Sequence, residues 1–102
     1  MMEGYISLTK AGTLAHTQPA IGASTTAALA ANTSRKYVLL VNDSDSVIYI
    51  KIGAAAVLNQ GIRLNASGGS YEMSAIHGNL DTRAINGISS GAAKVLLVTE
   101  GV

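Results

Sequence analysis

Two apolar runs in the middle of the chain, residues 36–41 and 47–52, are rich in β-branched and aromatic residues. Residues 42–46 between them, Asn-Asp-Ser-Asp-Ser, have short polar side chains that hydrogen-bond their own backbone and favour turns. The second run alternates, with three isoleucines on one face and Tyr49 and Lys51 on the other, which is typical of a strand with one buried face. The pattern predicts a β-hairpin with a five-residue connection.

The first run differs from the second because it is apolar on both faces. Tyr37, Leu39 and Val41 alternate with residues that are themselves apolar, as expected of a central strand covered on both sides. Residues 94–99 close the chain with a second run of this kind. We therefore expect something to cover the second face of these strands, either an N-terminal arm or a neighbouring molecule.

Other short strands are predicted along the chain, with turn signals between them. Residues 25–30 are too short for a stable helix and precede a turn, so we predict a strand. Residues 61–66 alternate, and the Ser-Gly-Gly-Ser sequence at 67–70 favours a hairpin turn into a return strand at 71–73. Residues 82–88 form a further candidate strand.

Seven or eight short strands, with no convincing helix of ten residues, predict an all-β fold, an antiparallel β-sandwich of jelly-roll-like form. The chain is expected to divide into an N-terminal arm or edge segment (residues 1–24) and the sandwich (residues 25–102). A strand of the sandwich itself is the open alternative for the first segment. The predicted inward-facing residues are Ile48, Ile50, Ile52, Ile62, Leu64, Ile85, Leu96 and Val98.

The composition suggests a single domain with a thin stability margin. The 102 residues are 48% hydrophobic but only 4% aromatic, and alanine supplies much of the apolar count. Because alanine buries little apolar area, we expect a homo-oligomer or an assembly component. The net charge of +1 comes with scattered basic residues, which does not favour nucleic acid as a partner. No apolar run approaches bilayer length, and no signal peptide is evident, so no membrane partner is expected.

Residues 87–91, Gly-Ile-Ser-Ser-Gly, match the G-x-S-x-G pattern of a nucleophile elbow. That device needs a following helix and a later Asp and His, whereas a strand is predicted here and neither residue type follows Ser89. The acidic cluster at 43–45 begins like a calcium loop but fails where Val47 and Ile48 stand. These residues are predicted to form turns.

His16 and His77 lack the spacing of a metal site, although His77 lies near enough to Asp81 in sequence for a hydrogen bond. There is no phosphate-binding loop and no cysteine. We therefore predict no enzyme activity, no metal and no cofactor.

Several strand-and-turn stretches share one pattern: residues 32–37, 42–50, 61–64, 68–72 and 94–101. This pattern, which covers about three quarters of the chain from residue 25 onward, resembles small structural proteins of tailed bacteriophages, most closely capsid decoration (cement) proteins. The resemblance implies a virion protein on the capsid exterior, present in the host cytoplasm during assembly, with the major capsid protein as partner. The resemblance identifies no binding residue in this chain, and the N-terminal segment lies outside the pattern.

The residues expected to contact a partner are apolar or aromatic: Tyr5, Ile6, Leu8, Tyr49 and Tyr71. A dimer or trimer is the expected oligomer. Two alternatives remain open at this point. One is another virion component, at the neck, on a head fibre or in the tail. The other is a carbohydrate- or receptor-binding module in which Tyr49 or Tyr71 stacks on a sugar ring.

Overall fold

The computed structural model describes residues 10–102, and every regular element in that range is a β-strand. In chain order the strands are β1 (Leu14–Thr17), β2 (Ala20–Ile21), β3 (Thr26–Leu29), β4 (Tyr37–Asn42), β5 (Ile48–Ile52), β6 (Ile62–Leu64), β7 (Ser70–Ser74), β8 (Ile85–Ser89) and β9 (Lys94–Gly101). Over these residues, no helix is long and apolar enough to cross a membrane.

The strands form two antiparallel sheets. Sheet I has the order β1-β9-β4-β7, and β2 also pairs with β9; sheet II has the order β3-β8-β5-β6. Because β1 and β2 pair with successive parts of β9, they act as one interrupted edge strand. Pro19 lies at the interruption, where its missing N–H is tolerated, and its carbonyl accepts a hydrogen bond from the Leu96 N–H at 3.0 Å.

The strand pairs are nested in the chain. The innermost pair is β5·β6, and around it lie β4·β7, then β3·β8, then the β1/β2 edge with β9. This is the connectivity of a jelly roll, in which a folded ribbon of strand pairs wraps into two facing sheets. The predicted all-β antiparallel sandwich is confirmed.

The predicted hairpins are wrong, although their strands and turns are present. β4 lies in sheet I and β5 in sheet II, so the connection at residues 43–47 crosses between the sheets. The turn before β7 likewise leaves sheet II for sheet I. A reason lies in Asn42, which is fully buried: its amide donates to the carbonyls of Ser46 (2.7 Å) and Leu64 (3.0 Å). These bonds hold the connection between β4 and β5 against the start of the connection between β6 and β7.

The core lies between the two sheets and matches most of the predicted inward-facing set. Ile48, Ile50, Leu64, Ile85, Leu96 and Val98 are buried, while Ile52 and Ile62 pack against them from partly exposed positions. Ile21, from the predicted arm or edge segment, is also fully buried in this core. The remaining core members are Ala28, Val38, Leu40 and Met73.

Arg35 closes one end of the core just before β4, and its side chain is fully buried. Its Nε donates to Glu100 Oε2 at 2.8 Å, which forms an ion pair with β9. Its Nη1 donates to the carbonyls of Asp81 (2.8 Å) and Arg83 (2.9 Å), and its Nη2 to that of Ala30 (2.6 Å). One guanidinium therefore ties the segments flanking β3 and β8 to sheet I.

Candidate functional site

The outer face of sheet II is covered by the chain itself. The connection between β5 and β6, residues 53–61, runs across it, and Ala56 is buried there. The Ala56 N–H donates to Thr25 Oγ1 (2.8 Å) beside β3, and the Asn86 amide of β8 donates to the Ala54 carbonyl (2.7 Å). These bonds attach the loop to two neighbouring strands, so little of this face is left for a partner.

The outer face of sheet I is more open and is apolar along most of its two central strands, although Thr99 and Glu72 flank Leu39 on the same face. The central strands β4 and β9 place Tyr37, Leu39, Val41, Val95 and Leu97 on it, with Val41 opposite Leu97. Four of these residues are half-buried and Val95 is 36% exposed, so each of the five is partly accessible. We call these five residues the outer apolar face.

A groove of about 380 Å³ lies at one end of this face, lined by Lys10, Ala11, Leu14, Lys36, Tyr37, Ser74, Ile76 and His77. Three of these residues pack directly over Gly101: a Cβ on that glycine would lie 2.5 Å from Ala11 Cβ, 3.0 Å from Leu14 Cδ2 and 3.2 Å from Tyr37 Cβ. Leu14 and Ile76 stand at the rim and are 53% and 72% exposed. The groove extends the outer apolar face toward the start of β1.

The charged side chains of the groove are basic. Lys10 and Lys36 line it, and none of the lining residues within 10–102 is acidic. Nearby, the Tyr37 hydroxyl donates to Glu72 Oε2 at 2.6 Å. This bond, together with desolvation and the charge of Glu72, raises the pKa of Tyr37 above its usual value.

His77 shapes the loop that carries Ile76. Its Nδ1 lies 2.9 Å from Ser74 Oγ, and its backbone N–H donates to the same oxygen at 3.1 Å. The suggested contact of His77 with Asp81 is therefore replaced by one with Ser74. Asp81 instead pairs with Arg83, at 2.7 Å between Oδ2 and Nη2.

Of the five residues predicted to contact a partner, the structure describes only Tyr49 and Tyr71, and these two lie on different sheets. Tyr5, Ile6 and Leu8 lie outside the described residues. Tyr49 is half-buried on the outer face of sheet II, and its hydroxyl donates to Asn59 Oδ1 at 2.9 Å. Tyr71 is half-buried against the core of sheet I, on the inner side of β7.

The motifs considered for chemistry serve turns in the structure. Ser89 is fully buried, and its hydroxyl donates to the Gly91 carbonyl. Asp45 Oδ1 accepts from Lys94 Nζ at 2.8 Å, which, together with a bond from Ser46, lowers the pKa of Asp45. Within residues 10–102 no three acidic, histidine or cysteine side chains come together as a metal site.

The groove was not predicted from the sequence. Leu14 and Ile76 are isolated large apolar residues, 62 positions apart, and only the fold brings them to one rim. The signal that did point to this side of the molecule was the doubly apolar character of residues 36–41 and 94–99, which became β4 and β9.

Comparison with models of protein families, with curated proteins and with solved structures finds no match.

Proposed function

We propose that this protein is a structural virion protein that binds the outside of a phage capsid and stabilises contacts between major-capsid subunits. The observation that carries the proposal is the outer apolar face on the two central strands of sheet I, which contrasts with the loop-covered face of sheet II. Contiguous exposed apolar surface on a small domain is typical of a protein interaction site. The resemblance of the strand-and-turn stretches to phage decoration proteins supports the choice of partner.

The jelly roll supports this role physically because its core is self-contained. The described core is closed by Arg35 at one end and by the sheets on either side. Binding through an outer face therefore requires no rearrangement of the core. A standard protein interface of about 1,600 Å², repeated at many symmetric positions, would stabilise a shell without any chemistry. We propose a dimer or trimer as the binding unit.

Reconstruction of the virion tests the proposal directly. We expect density for this chain on the capsid exterior, between major-capsid subunits, and a copy number comparable to that of the capsid protein by gel densitometry. Density at the neck or tail, or a small fixed number of copies, would instead support another virion role. Absence from the particle would refute both.

A matched pair of variants tests the face itself. Val95→Lys places a charge on the outer apolar face, whereas Val57→Lys places one on the loop over sheet II, at a similar exposure of 43%. Because burying an unpaired charge at an interface is costly, co-sedimentation with capsids should fall at least about tenfold for Val95→Lys and stay unchanged for Val57→Lys. Equal binding by the two variants would show that capsids do not bind this face.

A further inference from the structure

The groove beside the outer apolar face has a rim that a small ligand cannot cover. Leu14 and Ile76 stand above the floor and are 53% and 72% exposed. A molecule small enough to sit inside the groove contacts these two side chains but leaves much of their surface in water. A polypeptide segment that lies across the groove covers both side chains more fully, while one of its own side chains enters the groove.

The charge of the groove restricts the sequence of that segment. The ammonium groups of Lys10 and Lys36 make no ion pair with any residue of the described part of the chain. The neighbouring Glu72 keeps its charge while it accepts from the Tyr37 hydroxyl, but it is not one of the residues that line the groove. An incoming carboxylate would therefore meet two cations, whereas an incoming ammonium would be repelled by both.

We propose that the groove binds a segment of another protein in which an apolar side chain is followed directly by Asp or Glu. The apolar side chain packs on Tyr37 and Leu14 beneath Ile76, and the carboxylate lies between Lys10 and Lys36. The groove's size, about 380 Å³, is at the lower end for binding pockets and suits one or two side chains. The inference rests on the proposed function only for the partner's identity, which would be the major capsid protein.

The experiment titrates the ¹⁵N-labelled protein with the acetylated, amidated peptide Gly-Ser-Leu-Glu-Ser-Gly and follows its amide resonances. We expect saturable shifts at Leu14, Tyr37 and Ile76 with a Kd of about 1 mM, as suits a short segment. Replacing the peptide's leucine with serine, or its glutamate with lysine, should weaken binding at least about fivefold. Equal binding of the lysine peptide, shifts at other residues, or no saturable shift by about 5 mM would each overturn the proposal.

Protein variants locate the site independently. Ile76→Ser and Lys10→Gln change exposed side chains, so folding should be unaffected, and each should weaken binding of the leucine–glutamate peptide by at least about threefold. Val57→Ser, at an exposed apolar position over sheet II, should bind like the wild type. Unchanged affinity in both groove variants would overturn the proposal.

The peptide titration also separates this inference from the proposed function. If the peptide binds in the groove but the protein is absent from virions, the proposed function fails and the groove's specificity stands. If the protein decorates capsids and the peptide does not bind, the groove proposal fails alone.

Discussion

Replacing Arg35 with alanine should destabilise the fold more than any other single charge removal among the described residues. The guanidinium is fully buried and satisfies four acceptors: the Glu100 carboxylate and the carbonyls of Ala30, Asp81 and Arg83. Its removal leaves a carboxylate that is only 16% exposed without its cation. Breaking a buried pair in this way typically costs about 3–5 kcal/mol.

The three backbone carbonyls that accept from the guanidinium also lose their donor, which favours a loss at the upper end of that range. Each buried acceptor that loses its donor costs about 1–3 kcal/mol, but water entering the space left by the side chain offsets part of the loss. We therefore expect Arg35→Ala to lower the free energy of unfolding by about 3–5 kcal/mol. Small domains are stable by about 5–15 kcal/mol, so the variant should lose a large fraction of its stability. Arg35→Lys keeps the charge but cannot reach four acceptors, and its loss should be intermediate.

Urea unfolding followed by circular dichroism measures these losses, with the slope of the transition unchanged if the unfolded state is unaffected. Arg83→Ala is the matched control, because that arginine side chain is 66% exposed and its pairing with Asp81 is a surface ion pair. Such pairs contribute at most about 1 kcal/mol. In a double-mutant cycle, Arg35→Ala and Glu100→Gln should couple by about 1–3 kcal/mol. A loss for Arg35→Ala no larger than that for Arg83→Ala would refute the role of the buried guanidinium.

Three further measurements follow from the turns and the surface charges. Gly69→Ala should lower the free energy of unfolding by at least about 2 kcal/mol, because a Cβ there would overlap the backbone of Asn65; a loss below about 0.5 kcal/mol would contradict that packing. Asn42→Ala should lower the free energy of unfolding by about 2–4 kcal/mol, because two carbonyls lose their buried donor. Asn65→Ala, at an exposed position, should lower it by less than about 1 kcal/mol. Equal losses would show that the Asn42 amide does not hold the connection between the sheets. The hydrogen bonds from Arg83 hold the pKa of the Asp81 carboxyl at about 2, below its usual 3.8, so this interaction stabilises the fold above pH 3.8 and is lost as the pH falls toward 2. Carbon-13 titration should show the Asp81 pKa rising toward 3.8 in Arg83→Gln; an unchanged pKa would assign the shift to another group.

The strands and most of the core were predictable because their signal is local. Alternation with period two places Ile48 and Ile50 on one face whatever the strand pairs with, and both are buried as predicted. The strand partners were not predictable from the turns. Residues 42–46 signal a reversal of the chain, but a tight hairpin and a crossing between sheets use the same turn residues. The buried Asn42, which contacts Leu64 in the next connection, distinguishes the two only once the fold exists.

Arg35 shows a second limit of the sequence. Its position beside Lys36 indicates an exposed pair of basic side chains. In the structure only Lys36 is partly exposed, and Arg35 is buried. Burial of the arginine depends on carbonyls from residue 30 nearby and from residues 81 and 83 far along the chain, which converge through the β3·β8 pairing. Such convergence leaves no periodic signal, because backbone carbonyls are present at every residue.

The unequal covering of the two sheets bears on how strongly the proposed face can bind. Sheet II is covered by residues 53–61, whereas sheet I leaves its two central strands at the surface. An apolar patch of about 500 Å², a common size for the largest patch on a monomer, contributes about 12 kcal/mol when fully covered. The loss of translational and rotational freedom on association, about 4–15 kcal/mol, offsets most of this. One copy should therefore bind a single capsid subunit weakly, while a dimer or trimer that contacts several subunits gains from high effective concentration. The physics of this face thus favours an oligomer on a repeating surface over a one-to-one complex.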